Sequence, residues 1–228
     1  MNIGGLQKLT LLDYPGKAAC TVFTVGCNLR CPFCHNASLV TGKVGSNIQD
    51  LAAFFEKRRG ILDGVCVTGG EPLLQPDLGE FLSFIRSFGF SVKLDTNGTL
   101  PDRLKKIINE RLVDFIAMDI KSSASRYSQA VGIAMDDMSP VFESISAIMD
   151  SGLEYEFRTT VVKELHTPDT MREIGGMIKG ARAYFLQQFV DSGELLSAEK
   201  LTPCSPGEMN ELLDAVKPFV PAASLRGV

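Results

Sequence analysis

Two rhythms of apolar residues alternate along this chain. Short runs rich in branched and aromatic residues read as strands over Ala18 to Val25, Val65 to Thr68, Ser91 to Leu94, Phe115 to Ile120, Tyr155 to Val162 and Ala183 to Val190, which reads as the last strand. The segments between them carry helical spacing. Ile48 to Arg58 reads as a helix, with Gly60 placed to end it. Leu78, Phe81, Leu82 and Ile85 fall at i, i+3, i+4 and i+7, and Leu104, Ile107 and Ile108 mark the next helix. Ser139-Pro140 reads as an N-cap followed by proline in the first turn, and Thr167-Pro168 repeats the device. Ser205-Pro206-Gly207-Glu208 has the form of a capping box before a final helix.

Roughly six strand–helix units result, and such alternation predicts an α/β fold with a parallel sheet covered by helices. The residues with chemical potential cluster just after strands: a cysteine loop, Gly70-Glu71, Asp95-Thr96-Asn97 and Asp119-Lys121. In a β/α barrel the C-terminal strand ends share one face, where active sites are built. An open doubly wound sheet is the competing architecture.

The cysteine loop, Cys27-Asn28-Leu29-Arg30-Cys31-Pro32-Phe33-Cys34, carries three thiols spaced C-x3-C-x2-C. A structural zinc site is closed by four ligands, and an electron-transfer iron–sulfur cluster usually takes four cysteines. Three ligands leave one metal position open for chemistry. The competing readings are a zinc knuckle, a disulfide pair or three buried thiols; no fourth Cys or His stands at a convincing zinc spacing, although His35 adjoins Cys34. Cys20, Cys66 and Cys204 lie outside the loop and read as small buried hydrophobes.

Composition bounds the partners. The chain has 228 residues, 45% hydrophobic and 22% charged, enough for a sizeable core and read as a single domain over 1–228. A net charge of −4 and the lack of a basic tract argue against nucleic acid. Lys57-Arg58-Arg59 reads as a solvated helix end. With no secretory signal and no long apolar run, the expectation is a cytoplasmic protein without a membrane segment.

Each remaining motif has a plain reading beside the chemical one. Gly69-Gly70-Glu71-Pro72 is either a tight turn or a place where backbone and carboxylate hold an ammonium. Asp95-Thr96-Asn97-Gly98 is either an Asx turn or a strand-end ligand set. Asp119 and Lys121 share a strand face and read as pocket residues. Arg158 is a charge inside an apolar strand, which calls for a carboxylate partner, and His166 reads as an exposed loop residue.

Together these features resemble the radical S-adenosylmethionine (SAM) superfamily. With Asp13-Tyr14-Pro15-Gly16 upstream and Cys34-His35-Asn36 closing the cysteine loop, the chain is most similar to the glycyl radical enzyme activating proteins. Among those it looks like the activators of anaerobic ribonucleoside-triphosphate reductase, with the pyruvate formate-lyase activators as near relatives. The resemblance implies a partial (β/α)6 barrel. It also implies a [4Fe–4S] cluster on Cys27, Cys31 and Cys34, with SAM at the fourth iron. Phe33 would lie beside the adenine, and Gly69, Gly70, Glu71 and Pro72 would meet the methionyl group. Thr96, Asn97, Asn36 and Arg158 would complete the SAM pocket, and Asp95 and Lys121 would face the reacting centre. Asp95, Thr96 and Asp119 would be candidates for a monovalent cation. His35 would tune the cluster from behind a ligand.

The implied reaction is reductive cleavage of SAM and hydrogen abstraction from a glycine of a partner glycyl radical enzyme, with flavodoxin or ferredoxin as reductant. A small-molecule radical SAM enzyme of the carboxydeazaguanine synthase kind is the alternative, and a non-catalytic zinc or thiol module a further one. The chain departs from the pyruvate formate-lyase activators at Tyr14 and Lys17, and has Asp191 and Ser192 where those have a SAM-contacting histidine. No cysteine lies between Cys34 and Cys66, so no auxiliary cluster is expected.

Overall fold

The computed structural model describes residues 1–40, 42, 51–191, 193, 195–196 and 201–228. Strand order in the sheet follows chain order. By packing, the chain forms two compact units, Met1–Asn28, Ser38–Thr96 and Asp102–Ile116 in the first, and Leu29–Ala37, Asn97–Pro101 and Ala117–Val228 in the second.

In the first unit β1 (Ile3–Thr10) pairs antiparallel with β2 (Ala19–Thr24). β2 runs parallel to β3 (Gly64–Gly69), which runs parallel to β4 (Ser91–Thr96), with Thr21 opposite Cys66 and Cys66 opposite Lys93. β5 (Phe115–Asp119) begins in this unit and ends in the second. The helices are α1 (Ala37–Val40), α2 (Leu51–Arg58), α3 (Leu78–Ser87) and α4 (Pro101–Asn109). Residues 48–50, expected to open the second helix, lie outside the described residues. α3 buries Leu78, Leu82 and Ile85, three of the four residues whose spacing predicts it. Fully buried Phe55 of α2 meets Phe84, Phe88 and Phe90 at centroid distances of 5.6–5.9 Å, in tilted or edge-on geometry that favours aromatic quadrupoles.

The second unit holds α5 (Tyr127–Val131), α6 (Ser139–Asp150), β6 (Glu154–Val161), α7 (Pro168–Met177), β7 (Tyr184–Gln188), α8 (Pro206–Val216) and β8 (Ala223–Arg226), with β6, β7 and β8 parallel. Thr167 caps α7 through Thr170 N, and Ser205 with Glu208 completes the capping box of α8, both as the sequence predicts.

Several features depart from expectation, among them the short helices α1 and α5, which the sequence reading does not include. β1 is unexpected because an edge strand exposed through Gln7, Lys8 and Leu9 shows little apolar alternation. Ala183 to Val190 is not the last strand: β8 follows it, only four residues long and containing Ser224 and Arg226. The cap of α6 is Met138 rather than Ser139, whose backbone N–H is taken by the Asp137 carboxylate at 2.9 Å. The α/β class and the mainly parallel sheet stand.

Candidate functional site

In the first unit the loops after β2 and β3 are built around glycine. Gly26, just before Cys27, has φ +95°, and its N–H donates to Leu39 O at 2.9 Å. Gly69 has φ +115°, a conformation L side chains rarely adopt, and a Cβ there would stand 2.4 Å from Thr24 N. A Cβ on Gly70 would stand 2.0 Å from Gly26 O. Two bonds hold this close approach: Gly70 N donates to Thr24 O at 2.9 Å, and Glu71 N donates to Gly26 O at 2.8 Å. The two glycines therefore clamp the strand end that delivers Cys27.

Glu71 is 1% exposed. Its Oε1 accepts from Leu73 N at 3.0 Å, capping a 3-10 turn at Pro72–Leu74, and from Thr96 Oγ1 at 2.9 Å. Pro72 is buried at the start of that turn. Two residues before Asp95, on the same face of β4, Lys93 is 1% exposed, and its ammonium is paired with Asp95 Oδ1. Cys66 Sγ lies 3.9 Å from Lys93 Nζ and 3.8 Å from Asp95 Oδ1, and the Phe115 ring lies 5.9 Å from the ammonium. Sequence reasoning missed Lys93, although a charge flanked by Val92 and Leu94 is the same signal that singled out Arg158.

The rest of the cysteine loop belongs to the second unit. Arg30 N donates to Val131 O at 2.8 Å, and a Cβ on Gly132, the left-handed C-cap of α5, would stand 2.1 Å from Arg30 O. Cys34 N donates to Cys31 O at 3.1 Å, a tight turn between two thiols. Cys31 and Phe33 are buried, Cys34 and Asn36 are half-buried, and exposed His35 packs its ring 5.8 Å from that of Phe189. Asn97 Oδ1 accepts from Thr99 N at 3.0 Å and from Thr99 Oγ1 at 2.7 Å, which forms an Asx turn at this strand end.

Asp119 is the charge centre of this unit. Its Oδ2 accepts from Lys121 Nζ at 3.0 Å and its Oδ1 from Arg158 Nε at 2.9 Å. Burial pushes the Asp119 carboxyl up, but the two cations outweigh it and hold the carboxyl well below the usual range. Burial likewise pulls Lys121 down, and the opposing charge of Asp119, with Cys31 next, carries it above its ordinary value. Arg158 thus has its expected carboxylate partner within the protein. It also lies 3.7 Å from Glu156, which Arg226 holds through both oxygens at 3.1 and 2.8 Å.

His166 is not exposed. It is 4% accessible, its Nδ1 accepts from Val162 N at 3.0 Å, and its Nε2 lies 3.0 Å from Lys121 O. The loop doubles back because the Val162 N–H needs an acceptor, and the imidazole supplies one while fixing the Lys121 backbone. Asp191 is exposed and accepts from Gly193 N at 2.8 Å; Ser192 lies outside the described residues.

None of the six cysteines is in a disulfide; Cys20, Cys66 and Cys204 are buried, and Cys27 and Cys34 are half-buried. Among the described residues no three or more His, Cys, Asp or Glu side chains are gathered as a metal site. The donor chemistry of the loop, three soft thiols with no carboxylate, fits an iron–sulfur cluster. No helix among the described residues is long and apolar enough to cross a membrane.

A protein provisionally assigned as a glycyl-radical enzyme activating enzyme in Methanocaldococcus jannaschii is 29% identical over 99% of this chain and 96% of its own length. The 7-carboxy-7-deazaguanine synthase of Thermoplasma acidophilum is 33% identical over 55% of this chain and 56% of that enzyme. The pyruvate formate-lyase-activating enzyme of Listeria monocytogenes is 35% identical over 53% of each chain, so the match spans about half the length of these two enzymes. The crystal structure of Streptococcus suis SuiB bound to S-adenosylmethionine superposes with a TM-score of 0.68 at 12% identity, over 89% of this chain and 48% of SuiB, a likeness of fold alone. The profile of the Radical SAM superfamily matches residues 21–175, and the chain belongs to that superfamily, whose chemistry implies a [4Fe–4S] cluster and SAM.

Proposed function

We propose that this protein is an activase that generates a glycyl radical on a partner enzyme, with anaerobic ribonucleoside-triphosphate reductase as the first partner to test. The observation that carries the reading is the near full-length match to the M. jannaschii protein assigned to glycyl-radical enzyme activation, against half-length matches to the other two relatives. The Asp13-Tyr14-Pro15-Gly16 and Cys34-His35-Asn36 flanks support it.

In this reading residues 1–228 act as a single catalytic domain in the cytoplasm, reduced by flavodoxin or ferredoxin. Cys27, Cys31 and Cys34 hold the cluster. Held by those three thiolates, the cluster would supply the electron for reductive cleavage of SAM, the chemistry that removes a hydrogen atom from glycine. The chain's own residues bind and orient. Gly69, Gly70, Glu71, Pro72 and Thr96 receive the methionyl group, Glu71 by charge-assisted contact with its ammonium. Phe33 packs beside the adenine, and Asn36, Asn97 and Arg158 position the remainder. Asp95 and Lys121 face the reacting centre, where exclusion of water protects the radical.

The half-length match to a carboxydeazaguanine synthase keeps a small-molecule substrate as the second reading. The deciding experiment mixes the reduced, cluster-loaded protein anaerobically with SAM and the anaerobic ribonucleotide reductase of the same genome. A glycyl doublet in the paramagnetic resonance spectrum, with one SAM cleaved per radical formed, is the expected result. SAM cleavage that leaves every glycyl radical enzyme of that genome silent would transfer the assignment to a small molecule.

A further inference from the structure

Both strand-end aspartates that the family resemblance marks for a monovalent cation already carry protein cations. At Asp95 the partner is the Lys93 ammonium, on a side chain 1% exposed and therefore unable to turn out to water. The same Oδ1 also receives Cys66 Sγ at 3.8 Å, and the Thr96 hydroxyl is turned to Glu71. In the second unit both oxygens of Asp119 are engaged, one by Lys121 and one by Arg158. Around that carboxylate and neighbouring Glu156 stand three cations, Lys121, Arg158 and Arg226, so the local excess is positive.

A potassium or sodium ion binds where carboxylate and carbonyl oxygens converge without a competing ammonium. Here it would have to displace Lys93 from Asp95, leaving a buried ammonium with no opposite charge, or sit beside it at like-charge repulsion. We propose that this protein takes no monovalent cation at these aspartates: Lys93 supplies the positive charge at Asp95, and Lys121 with Arg158 supply it at Asp119. Lys93 is then a positioning residue, holding Asp95 at the strand end without touching SAM. The inference rests on the SAM-binding part of the proposed function and not on the identity of the protein substrate.

The test compares cluster-loaded protein in potassium, sodium and choline chloride at one ionic strength, reading SAM affinity and the thermal midpoint, neither of which involves a partner protein. The wild type is expected to keep its SAM Kd within about twofold and its midpoint within about 1 °C across the three salts, because no ion is linked to the folded state. Lys93→Met removes the ammonium and leaves the Asp95 carboxylate to find another cation. Its SAM affinity and midpoint should become salt-selective, better in potassium or sodium than in choline, while Lys93→Arg keeps the indifference of the wild type. A wild type whose SAM affinity improves about fivefold or more, or whose midpoint climbs to saturation with potassium, overturns the proposal. So does a folded Lys93→Met protein indifferent to the cation. Should Lys93→Met not fold, the wild-type comparison decides alone, and a missing glycyl radical with these results intact would count against the activase reading only.

Discussion

Gly70→Ala tests whether the Gly-Gly turn clamps the cysteine loop. The added Cβ would stand 2.0 Å from Gly26 O, 1.4 Å short of the 3.4 Å at which ordinary contact begins. The three nearest atoms all belong to the Gly26 backbone, so no flexible side chain can yield. Separation by that amount would stretch the Glu71 N–Gly26 O bond, now 2.8 Å, and the Gly70 N–Thr24 O bond, now 2.9 Å, beyond hydrogen-bonding range. Losing two backbone bonds costs about 0.5–1.5 kcal/mol each, and the overpacking adds about 1–3 kcal/mol. A total of roughly 2–6 kcal/mol in a chain of this size lowers the thermal midpoint by about 4–24 °C. The assay is denaturant and thermal unfolding of the metal-free protein, with iron and sulfide per chain measured after anaerobic reconstitution. Iron loading should fall too, because Gly26 precedes Cys27. The control is Gly176→Ala in α7, where a Cβ meets nothing within 4 Å and the helix should gain about 0.5–1 kcal/mol. A Gly70→Ala protein within about 0.5 kcal/mol of wild type, loading iron fully, would refute the clamp.

Cys27→Ala, Cys31→Ala and Cys34→Ala should each lose the iron that Cys66→Ala and Cys204→Ala retain; equal loss in the Cys66 variant would show the ligands misassigned. A thiol reagent at neutral pH should label half-buried Cys27 and Cys34 of the metal-free protein first, with Cys20 unreactive until denaturation, since burial pushes its thiol up to about 12. Arg158→Met leaves Asp119 and buried Glu156 one cation short and should destabilise by about 1–3 kcal/mol, less than a fully buried pair because Asp119 is partly exposed; double-mutant cycles with Asp119→Asn measure the coupling. His166 is held neutral by burial, its folded value below the ordinary 6.5, so the unfolded chain takes up the proton first. Its contribution is complete above pH 6.5 and is lost as pH falls below it, and His166→Gln should flatten that part of the unfolding profile; an unchanged slope would show that another group titrates there.

How much of this was legible in the sequence follows from what each signal measures. Periodicity reports burial, so the buried strands β2 to β7 and the amphipathic helices could be read, while exposed β1 and four-residue β8 could not. Capping chemistry is local, and Thr167 and Ser205 kept their roles. At Ser139 the local signal was ambiguous because Asp137 offers a competing acceptor. Among the site residues, Arg158 announced itself as a charge in an apolar strand, and its partner was named only as a class. Lys93, a charge between Val92 and Leu94, carries the same signal in the sequence. His166 and Gly132 depend on contacts with Lys121 and Arg30, 45 and 102 residues away, which no local pattern encodes.

The glycine contacts just before and within the cysteine loop bear on redesign. Gly70 fits against the carbonyl of Gly26, and Gly132 against that of Arg30, so backbone shape helps to set the loop's course at both points. A loop guided by carbonyls depends little on the chemistry of the atoms its side chains offer. Exchanging thiols for imidazoles or carboxylates at positions 27, 31 and 34 should therefore retain much of the backbone path, making this protein a host in which the metal preference of a three-ligand loop could be rewritten without rebuilding the fold around it.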